Sequence, residues 1–390
     1  MSRHIAVLDI GSSKVVCLIC QAEDDGTLVV RGAGVVGYAG FRYGKILNEK
    51  SLRGALSESI TKAEREADRH INSVLVGVPS PFLDLAVSSA RVQVTGKGGV
   101  SRRDVEALIA ESHNFAAPAG FVPIHDTPIS FDVDGALSYD MPIGVEGEWL
   151  GGVVSHMYAD SLFVKLIRDV LSAMKIKVTA FISVPLAEAG FAVPDEVGAG
   201  DAILIDVGYM HTDVIWIRNG AVADMRVIDV GGCNFTHDIA YMFELPPIEA
   251  EKQKRNFVYS LDYADSVVSI KLPDEVVELS SSMVQEVIDA RTSELADMIL
   301  EEIANMDLDA DELSPLYMTG GGVALMRGSC EFISEYMGVD IKVNMPWMPR
   351  LSSPNYASAH ALMRFAANDE THSGGRASFL EKLKDFFTNS

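Results

Sequence analysis

The chain has 390 residues, 48% apolar and 22% charged, so it is globular and too long for one ordinary core; two or more domains are expected. Its formal net charge of −23 argues against nucleic acid as a partner and against broad electrostatic docking on anionic lipid, because an acidic surface repels phosphate in both. Four cysteines fit a reducing cytosol, and no apolar run is long enough to span a bilayer.

Arg3 and His4 lead into a short strand ending at Asp9, so no signal peptide is read at the start. HIAVLDIG, SKVVCLICQAE and TLVVRGAGVVGY read as a β-meander, with Asp24-Asp25-Gly26 as a turn. Cys17 and Cys20 have CxxC spacing, but they lie in the apolar run KVVCLIC and no second pair completes a tetrahedral site. They read as buried strand residues. SLRGALSESITKAEREADRH is polar with an apolar stripe, a helix, and INSVLVGVP is a buried strand. From Leu83 the texture changes. AVSSARVQVTG alternates, and Ser101 opens a helix with Asp104 three residues on, a capping-box start. Pro118, Pro123, Pro128 and Pro142 punctuate the next stretch. It ends in the strand GEWLGGVVSHMYA and the amphipathic helix DSLFVKLIRDVLSAMKI, with Asp160 as cap. A small α+β insert is expected between Leu83 and Ile176.

A second unit begins near Val178. DAILIDVGYMHTDVIWIRNGAVADMRVIDVGG repeats the strand–turn–strand–turn–strand pattern, which points to an internal duplication. Helices follow in FTHDIAYMFEL, PIEAEKQKRNFV and SSMVQEVIDARTSELADMILEEIANM, interrupted by a short strand pair near SVVSIKL. LYMTGGGVAL, a helix (MRGSCEFISEYMG), a strand (VDIKVNM) and a final helix (NYASAHALMRFAA) complete it. The expected fold class is α/β, two duplicated α/β domains with an inserted small α+β subdomain. Residues 368–377, NDETHSGGRA, read as a linker. In SFLEKLKDFFTNS, Ser378 and Glu381 form an N-cap pair, and Phe379, Leu380, Leu383, Phe386 and Phe387 share one face. Two readings stand for it: a helix docked on the body, or a membrane anchor at the end of a tether. A single anchor of barely three turns would hold weakly, and several copies would hold by avidity.

Three strand-to-turn segments carry the chemistry: LDIGSSKV at Leu8–Val15, LIDVGYMHTDV at Leu204–Val214 and YMTGGGVAL at Tyr317–Leu325. Glycine turns of this kind present backbone N–H groups to phosphate with no side chain in the way. Gly11, Ser12 and Ser13 offer such donors and Lys14 a charge; Gly208, Tyr209, Met210, His211 and Thr212 would form the opposing loop. Asp9 and Asp206 would repel phosphate unless a cation lay between, and Mg²⁺, which keeps its waters, suits them, with Asp213 as a further acid. Gly320, Gly321 and Gly322 leave a flat surface for a purine and ribose. Glu251 and Lys254, three apart on a helix, read either as a clamp on ribose and adenine or as a solvated ion pair.

These residues resemble the actin, Hsp70 and sugar-kinase superfamily of ATP-binding proteins over nearly the whole chain, and within it the FtsA family of bacterial cell-division proteins. The insert after VLVGVP, the run RVIDVGGCNFTHDIAYMFELPPIEAEKQKR, the segment AGFRYGKILNEKSL and the tail all resemble that family. The resemblance implies an actin-like fold: subdomain 1A at 1–82 and 177–193, 1C at 83–176, 2A at 194–240 and 312–367, 2B at 241–311, a linker at 368–377 and a membrane-targeting helix at 378–390. It also implies that Gly231 and Gly232 join the nucleotide site, with ATP and Mg²⁺ bound. The expected protein is peripheral, polymerises on the inner face of the plasma membrane at the division site, tethers FtsZ and recruits later divisome proteins. Arg291 and Glu294 match the helix motif that holds the FtsZ tail, beside the plainer reading of an i,i+3 pair.

Two departures from the family matter. Tyr209, Met210 and His211 stand where glycine, glycine and threonine are usual, and their bulk narrows the approach to phosphate. Val184 stands where an acid usually precedes the proline and orients the attacking water. ATP binding with slow or absent hydrolysis is therefore expected. A pilus-assembly-type adaptor is disfavoured by the tail, a sugar kinase by the lack of any marked sugar cleft, and an Hsp70-like chaperone by the lack of a substrate domain.

Overall fold

The computed structural model describes residues 3–371 apart from 24–27, 97, 194–200, 265, 274, 307, 309–314, 324–325, 344–350 and 352. β1 (Arg3–Ile10), β2 (Lys14–Ala22) and β3 (Leu28–Gly37) form an antiparallel meander. Val15 to Cys20 of β2 are all buried, alternating between cores on the two faces of the sheet, as the strand period requires. Cys17 and Cys20 are thus buried strand residues; Cys20 Sγ lies 2.8 Å from Met363 Sδ. A small hairpin, β4 (Phe41–Arg42) and β5 (Lys45–Ile46), leads to α1 (Glu49–Ala67), whose N-cap Asn48 accepts from Ser51 N–H at 2.9 Å. α1 lies directly on β3, because Gly32 and Gly34 have no side chain to hold it off: a Cβ on Gly34 would meet Ser59 O at 1.8 Å. β6 (Ser73–Val78) then runs parallel beside β1.

β7 (Leu83–Gln93) leaves this sheet. With β8 (Phe121–Val133), β9 (Ala136–Ser138) and β10 (Trp149–Asp160) it makes a separate antiparallel sheet in the order β7-β10-β8-β9. α2 (Arg102–Ser112) packs on it over a small core that includes Val105, Leu108, Phe131 and Leu150. The capping box of Ser101 and Asp104 is present. α3 (Ser161–Ala173) starts at Asp160, whose carboxylate accepts from Phe163 N–H at 2.7 Å, and β11 (Lys177–Ser183) returns to the first sheet beside β6. α4 (Val184–Ala192) follows.

The second unit repeats the first. β12 (Asp201–Val207), β13 (Thr212–Arg218) and β14 (Ala221–Ile228) form the meander; α5 (Gly232–Met242), α6 (Pro247–Asn256), the pair β15 (Val267–Lys271) and β16 (Val276–Ser280), and α7 (Ser281–Ala304) intervene. β17 (Leu316–Thr319), α8 (Ser329–Met337), β18 (Ile341–Lys342) and α9 (Ala357–Thr371) complete the chain's described part. The two five-stranded sheets have one order, β11-β6-β1-β2-β3 and β18-β17-β12-β13-β14, so the duplication read in the sequence is one of topology. α9 crosses back and buries Ala359, Leu362, Met363 and Ala366 against Val7, Leu18, Ile182 and Phe191 of the first half.

Four expectations are corrected or fall outside the described residues. The strand over VDIKVNM is confined to Ile341–Lys342 within the described residues. The last helix runs to Thr371, past residue 368 where a linker was expected: the alanine-rich stretch nucleates it, and propagation through Asn368–Thr371 costs far less than nucleation. Phe379, Leu380, Leu383, Phe386 and Phe387, and the Asp24–Gly26 turn, lie outside the described residues. Among the described residues no helix is long and apolar enough to cross a membrane.

The close α1–β3 contact sets a test. Gly34→Ala must push α1 off the sheet and should cost about 1–3 kcal/mol. Gly54→Ala, where no atom lies within 4 Å of the new methyl, should instead stabilise the helix slightly. Urea midpoints of the two variants check the contrast.

Candidate functional site

Because β1 and β12 hold equivalent places in matching sheets, their C-terminal turns face one another. Asp9 and Asp206 each lie one residue before their strand's end, and Asp206 is the register partner of Asp213 on β13. One cleft of 130 Å³ is lined by Asp9, Gly11, Ser12, Ser13, Lys14, Asp206, Gly208, Tyr209, His211, Asp213, Glu251, Lys254, Gly320 and Gly321. Met210 N–H donates to Ser12 Oγ at 3.1 Å and so bridges the two turns across it. A wider cleft of 660 Å³ lies beyond Ser80, which lines both, but none of the glycine turns reaches it.

Val184 also lines this cleft, whereas Met210, Thr212, Gly231, Gly232, Gly322, Arg291 and Glu294 do not. Gly322 N–H donates to Val207 O at 2.7 Å, and Gly232 N–H to Gly208 O at 2.9 Å. A Cβ on Gly322 would meet Gly208 O at 2.1 Å, one on Gly232 would meet Gly322 Cα at 2.7 Å, and one on Gly231 would meet Tyr209 O at 2.7 Å. Gly231, Gly232 and Gly322 therefore form a backbone seam behind the wall. Gly320, at φ +94°, sits so close to Asp206 that a Cβ would meet its Oδ1 at 2.1 Å. Thr212 turns inward to donate to Val230 O at 2.7 Å. The Met210 side chain reaches Gly40, its methyl 3.3 Å from where a Cβ there would stand.

Glu251 and Lys254 do pair, at 2.7 Å, yet not as a solvated pair: Lys254 is 4% exposed and its Nζ donates to Gly232 O at 2.8 Å. Glu251 also accepts from Thr236 Oγ1 and, at 2.7 Å, from Arg255 Nε. Arg291 and Glu294 are bonded to each other on α7 and do not line the cleft. Arg291 further grips Asp238 of α5 with two hydrogen bonds, Nε–Oδ2 at 2.6 Å and a terminal nitrogen to Oδ1 at 3.0 Å, so it ties two helices together.

Sequence reading missed three groups. Ser80 Oγ donates to Asp213 Oδ2 at 2.6 Å, and Ser358 Oγ of α9 to Asp9 Oδ2 at 2.8 Å. The third is Glu188, 1% exposed and on the cleft wall with Val184. It lies one helical turn after Val184, hence on the same face of α4, and that i,i+4 spacing was the available signal. Its Oε2 and Asp213 Oδ1 have no hydrogen-bond partner among the described residues.

The electrostatics are lopsided. Burial raises Asp9, against the Ser358 hydrogen bond and the Lys14 charge. Burial raises Asp206, and the charge of Asp213 adds to it. Burial pushes Asp213 up to about 7 despite Ser80. Glu188 is raised by burial and then by repulsion from Asp206, Asp213 and Asp9. Burial lowers Lys14, whose Nζ sits 5.0 Å over the Tyr356 ring, and also lowers His211. Five carboxyls thus line one cleft; Glu251 is paired with Lys254 and Arg255, and two of the other four have orphaned oxygens, an arrangement fit for a cation. Asp9, Asp206 and Asp213 do not bring three ligand atoms within 4.8 Å of one another. They suit Mg²⁺ held through its own waters rather than in a direct carboxylate cage.

Residues 203–361 match the family model described as cell division protein FtsA, and residues 83–158 match the SHS2 domain inserted in FtsA. The chain is 25% identical to cell division protein FtsA of Neisseria meningitidis serogroup B, over 100% of this chain and 99% of that one. It is 23% identical to the Escherichia coli K12 protein of the same name, over 98% and 94%. Among solved structures it is similar to a chain of a PilM–PilN type IV pilus biogenesis complex, with TM-score 0.64 at 18% identity over 93% of this chain and 98% of that one. It is also similar to MreB5 of Spiroplasma citri bound to AMPPNP, with TM-score 0.55 at 15% identity over 95% and 98%. At these identities the two structures speak for the fold alone.

The raised acids give a signed pH dependence. A carboxyl whose folded pKa is raised stabilises the fold below its unfolded pKa near 3.8 and loses that contribution as pH rises through about 7. Asp213→Asn should therefore unfold at a higher temperature than the parent at pH 8 in EDTA, with the gap closing toward pH 4. Thermal melts of both proteins across that window check it.

Proposed function

The chain belongs to the FtsA family of cell division proteins and has an actin-like α/β fold, and on that footing we propose that it binds ATP with Mg²⁺ between its halves and acts as a membrane-tethered filament subunit that holds FtsZ at the division site and recruits later divisome proteins. The observation that carries the nucleotide reading is the pair of equivalent turns facing each other across a cleft with three buried carboxyls, Asp9, Asp213 and Glu188, and the half-buried Asp206. On this reading the backbone N–H groups of Ser12 and Ser13, with Lys14, take phosphate oxygens from one side and those of Tyr209 and His211 from the other, whereas the Gly11 N–H is spent on Lys14 O at 3.0 Å and the Gly208 N–H on His211 O at 2.9 Å. Asp9, Asp206 and Asp213 would hold Mg²⁺ through water, and the bound ion would offset their charge and that of the phosphates. Organic ligands usually occupy about 300–1,000 Å³. The present 130 Å³, spanned by the Met210–Ser12 hydrogen bond, implies that the halves part on binding.

Hydrolysis is proposed to be slow. Val184 has no group to orient water. Glu188 brings a carboxyl to the same wall, but burial and three acidic neighbours favour its neutral, non-basic form. Tyr209 takes up room on the phosphate side. For the membrane and FtsZ, the support is family membership and the apolar face of Phe379, Leu380, Leu383, Phe386 and Phe387. The likeness to the pilus protein speaks for the fold and favours no rival function.

Two tests follow from this reading. The full chain should co-sediment with phosphatidylglycerol–phosphatidylethanolamine vesicles and carry a synthetic FtsZ tail peptide with it, whereas a chain ending at residue 377 should stay in solution. A full chain that remains soluble with and without ATP would sink the anchor. In single-turnover assays, Glu188→Gln should slow the residual phosphate release roughly 10²-fold while leaving ATP affinity nearly unchanged. Equal rates would remove Glu188 from the chemistry.

A further inference from the structure

Away from the cleft, the inserted subdomain carries a cluster that its packing does not account for. His113 caps the C-terminus of α2, Asp126 lies on β8, and His156 lies on β10 as the register partner of Asp126. His156 is fully buried, while the side chains of His113 and Asp126 remain about 30% exposed. His156 Nδ1 is 2.7 Å from Asp126 Oδ1, and His113 Nε2 is 3.1 Å from the same oxygen. The two imidazole rings lie 4.3 Å apart, and all three residues offer ligand atoms within 4.8 Å of one another.

The hydrogen bonds behind His156 decide what lies in front of it. Ser88 Oγ donates its proton to Ser112 O at 2.5 Å, and Ser112 Oγ donates to Ile109 O at 2.7 Å. Both hydroxyl oxygens also lie against His156 Nε2, at 3.0 and 3.2 Å. With their protons spent on carbonyls, they can only accept, so Nε2 carries a hydrogen. The neutral ring then turns the Nδ1 lone pair onto a carboxylate oxygen, acceptor against acceptor. A positive particle between them removes the conflict. A histidine whose far nitrogen donates to a fixed partner is also how metal-ligating imidazoles are oriented.

We propose that His113, Asp126 and His156 form a binding site for a zinc-class divalent transition metal in the inserted subdomain, pinning the end of α2 to β8 and β10. Two imidazoles and one carboxylate are the donor set such ions take when one position stays open to water, and the exposed edge of His113 and Asp126 provides that opening. Tetrahedral ligation at about 2.0–2.2 Å sets neighbouring ligand atoms about 3.3 Å apart. The observed 2.7 and 3.1 Å would open by about 0.6 and 0.2 Å to reach that spacing, and the remaining edge, between the two imidazole nitrogens, already lies within 4.8 Å. This ion is separate from the Mg²⁺ of the nucleotide cleft, which needs hard oxygen ligands.

Co²⁺ titration of the EDTA-stripped full chain tests it. One equivalent should bind with visible d–d absorption bands and be displaced by Zn²⁺. His113→Ala and Asp126→Asn should each weaken binding tenfold or more, and Ser88→Ala, which removes the nearer of the two oxygens that hold the far nitrogen of His156, should weaken it severalfold. Asp213→Asn, in the nucleotide cleft, should leave it unchanged. Circular dichroism and thermal melts of each variant in EDTA establish that it is folded. Absence of Co²⁺ bands in the parent, showing that the cluster holds a proton alone, overturns the proposal; so does binding that survives both His113→Ala and Asp126→Asn.

Discussion

The structure turns on one electrostatic constraint: Asp9, Asp213 and Glu188 are buried and Asp206 half-buried around one cleft, where low dielectric magnifies their repulsion. Such a group cannot all be ionised without a cation, and Lys14 alone is too little. Something rigid must hold the acids in place meanwhile. That something is the backbone. Val207, Gly208 and Tyr209 accept hydrogen bonds from Gly322, Gly232 and Cys233, so that three loops form one sheet-backed seam with no room for a Cβ. The glycines read in the sequence as phosphate cradles divide accordingly into those that face the cleft and those that make the wall behind it.

The duplication explains why the acids meet at all. In each sheet the meander begins at a central strand, flanked by parallel strands on the other side, so the turns after β1 and β12 emerge at equivalent points. The two halves are then joined by α9, which comes from the second half but packs on α4 and the first sheet, and lends Ser358 to Asp9. The Met210–Ser12 hydrogen bond is a second link between the halves.

The inserted subdomain joins the main core through Ile124, Met157 and Ala159 at one end of its strands and is separate at the other. It has its own sheet and core, and its His113–Asp126–His156 cluster owes nothing to the acids of the cleft. In the second half, Arg291 illustrates how a residue noted for a partner can serve the fold first: its guanidinium is already held by Asp238 and Glu294. Any ligand peptide approaching α7 would meet the exposed edge of Glu294 before it met Arg291.

Much was legible in the sequence because it depends on local periodicity and backbone chemistry. Alternating and continuous apolar runs marked the meanders, Ser101–Asp104 and Asp160 marked helix starts, and repeated Asp-x-Gly turns marked the duplication and Asp9 and Asp206 as a pair. The end of α9 was misjudged because helix propagation through Asn368–Thr371 depends on what the preceding turns have already nucleated. The sequence alone determined which turns could approach phosphate and that Val184 lacks an acid. Only the tertiary structure decided that Glu188 reaches the same wall, that Gly231, Gly232 and Gly322 are spent on one another, and that His113, Asp126 and His156 meet. Those outcomes rest on distances between segments tens to hundreds of residues apart, which packing sets and spacing along the chain does not.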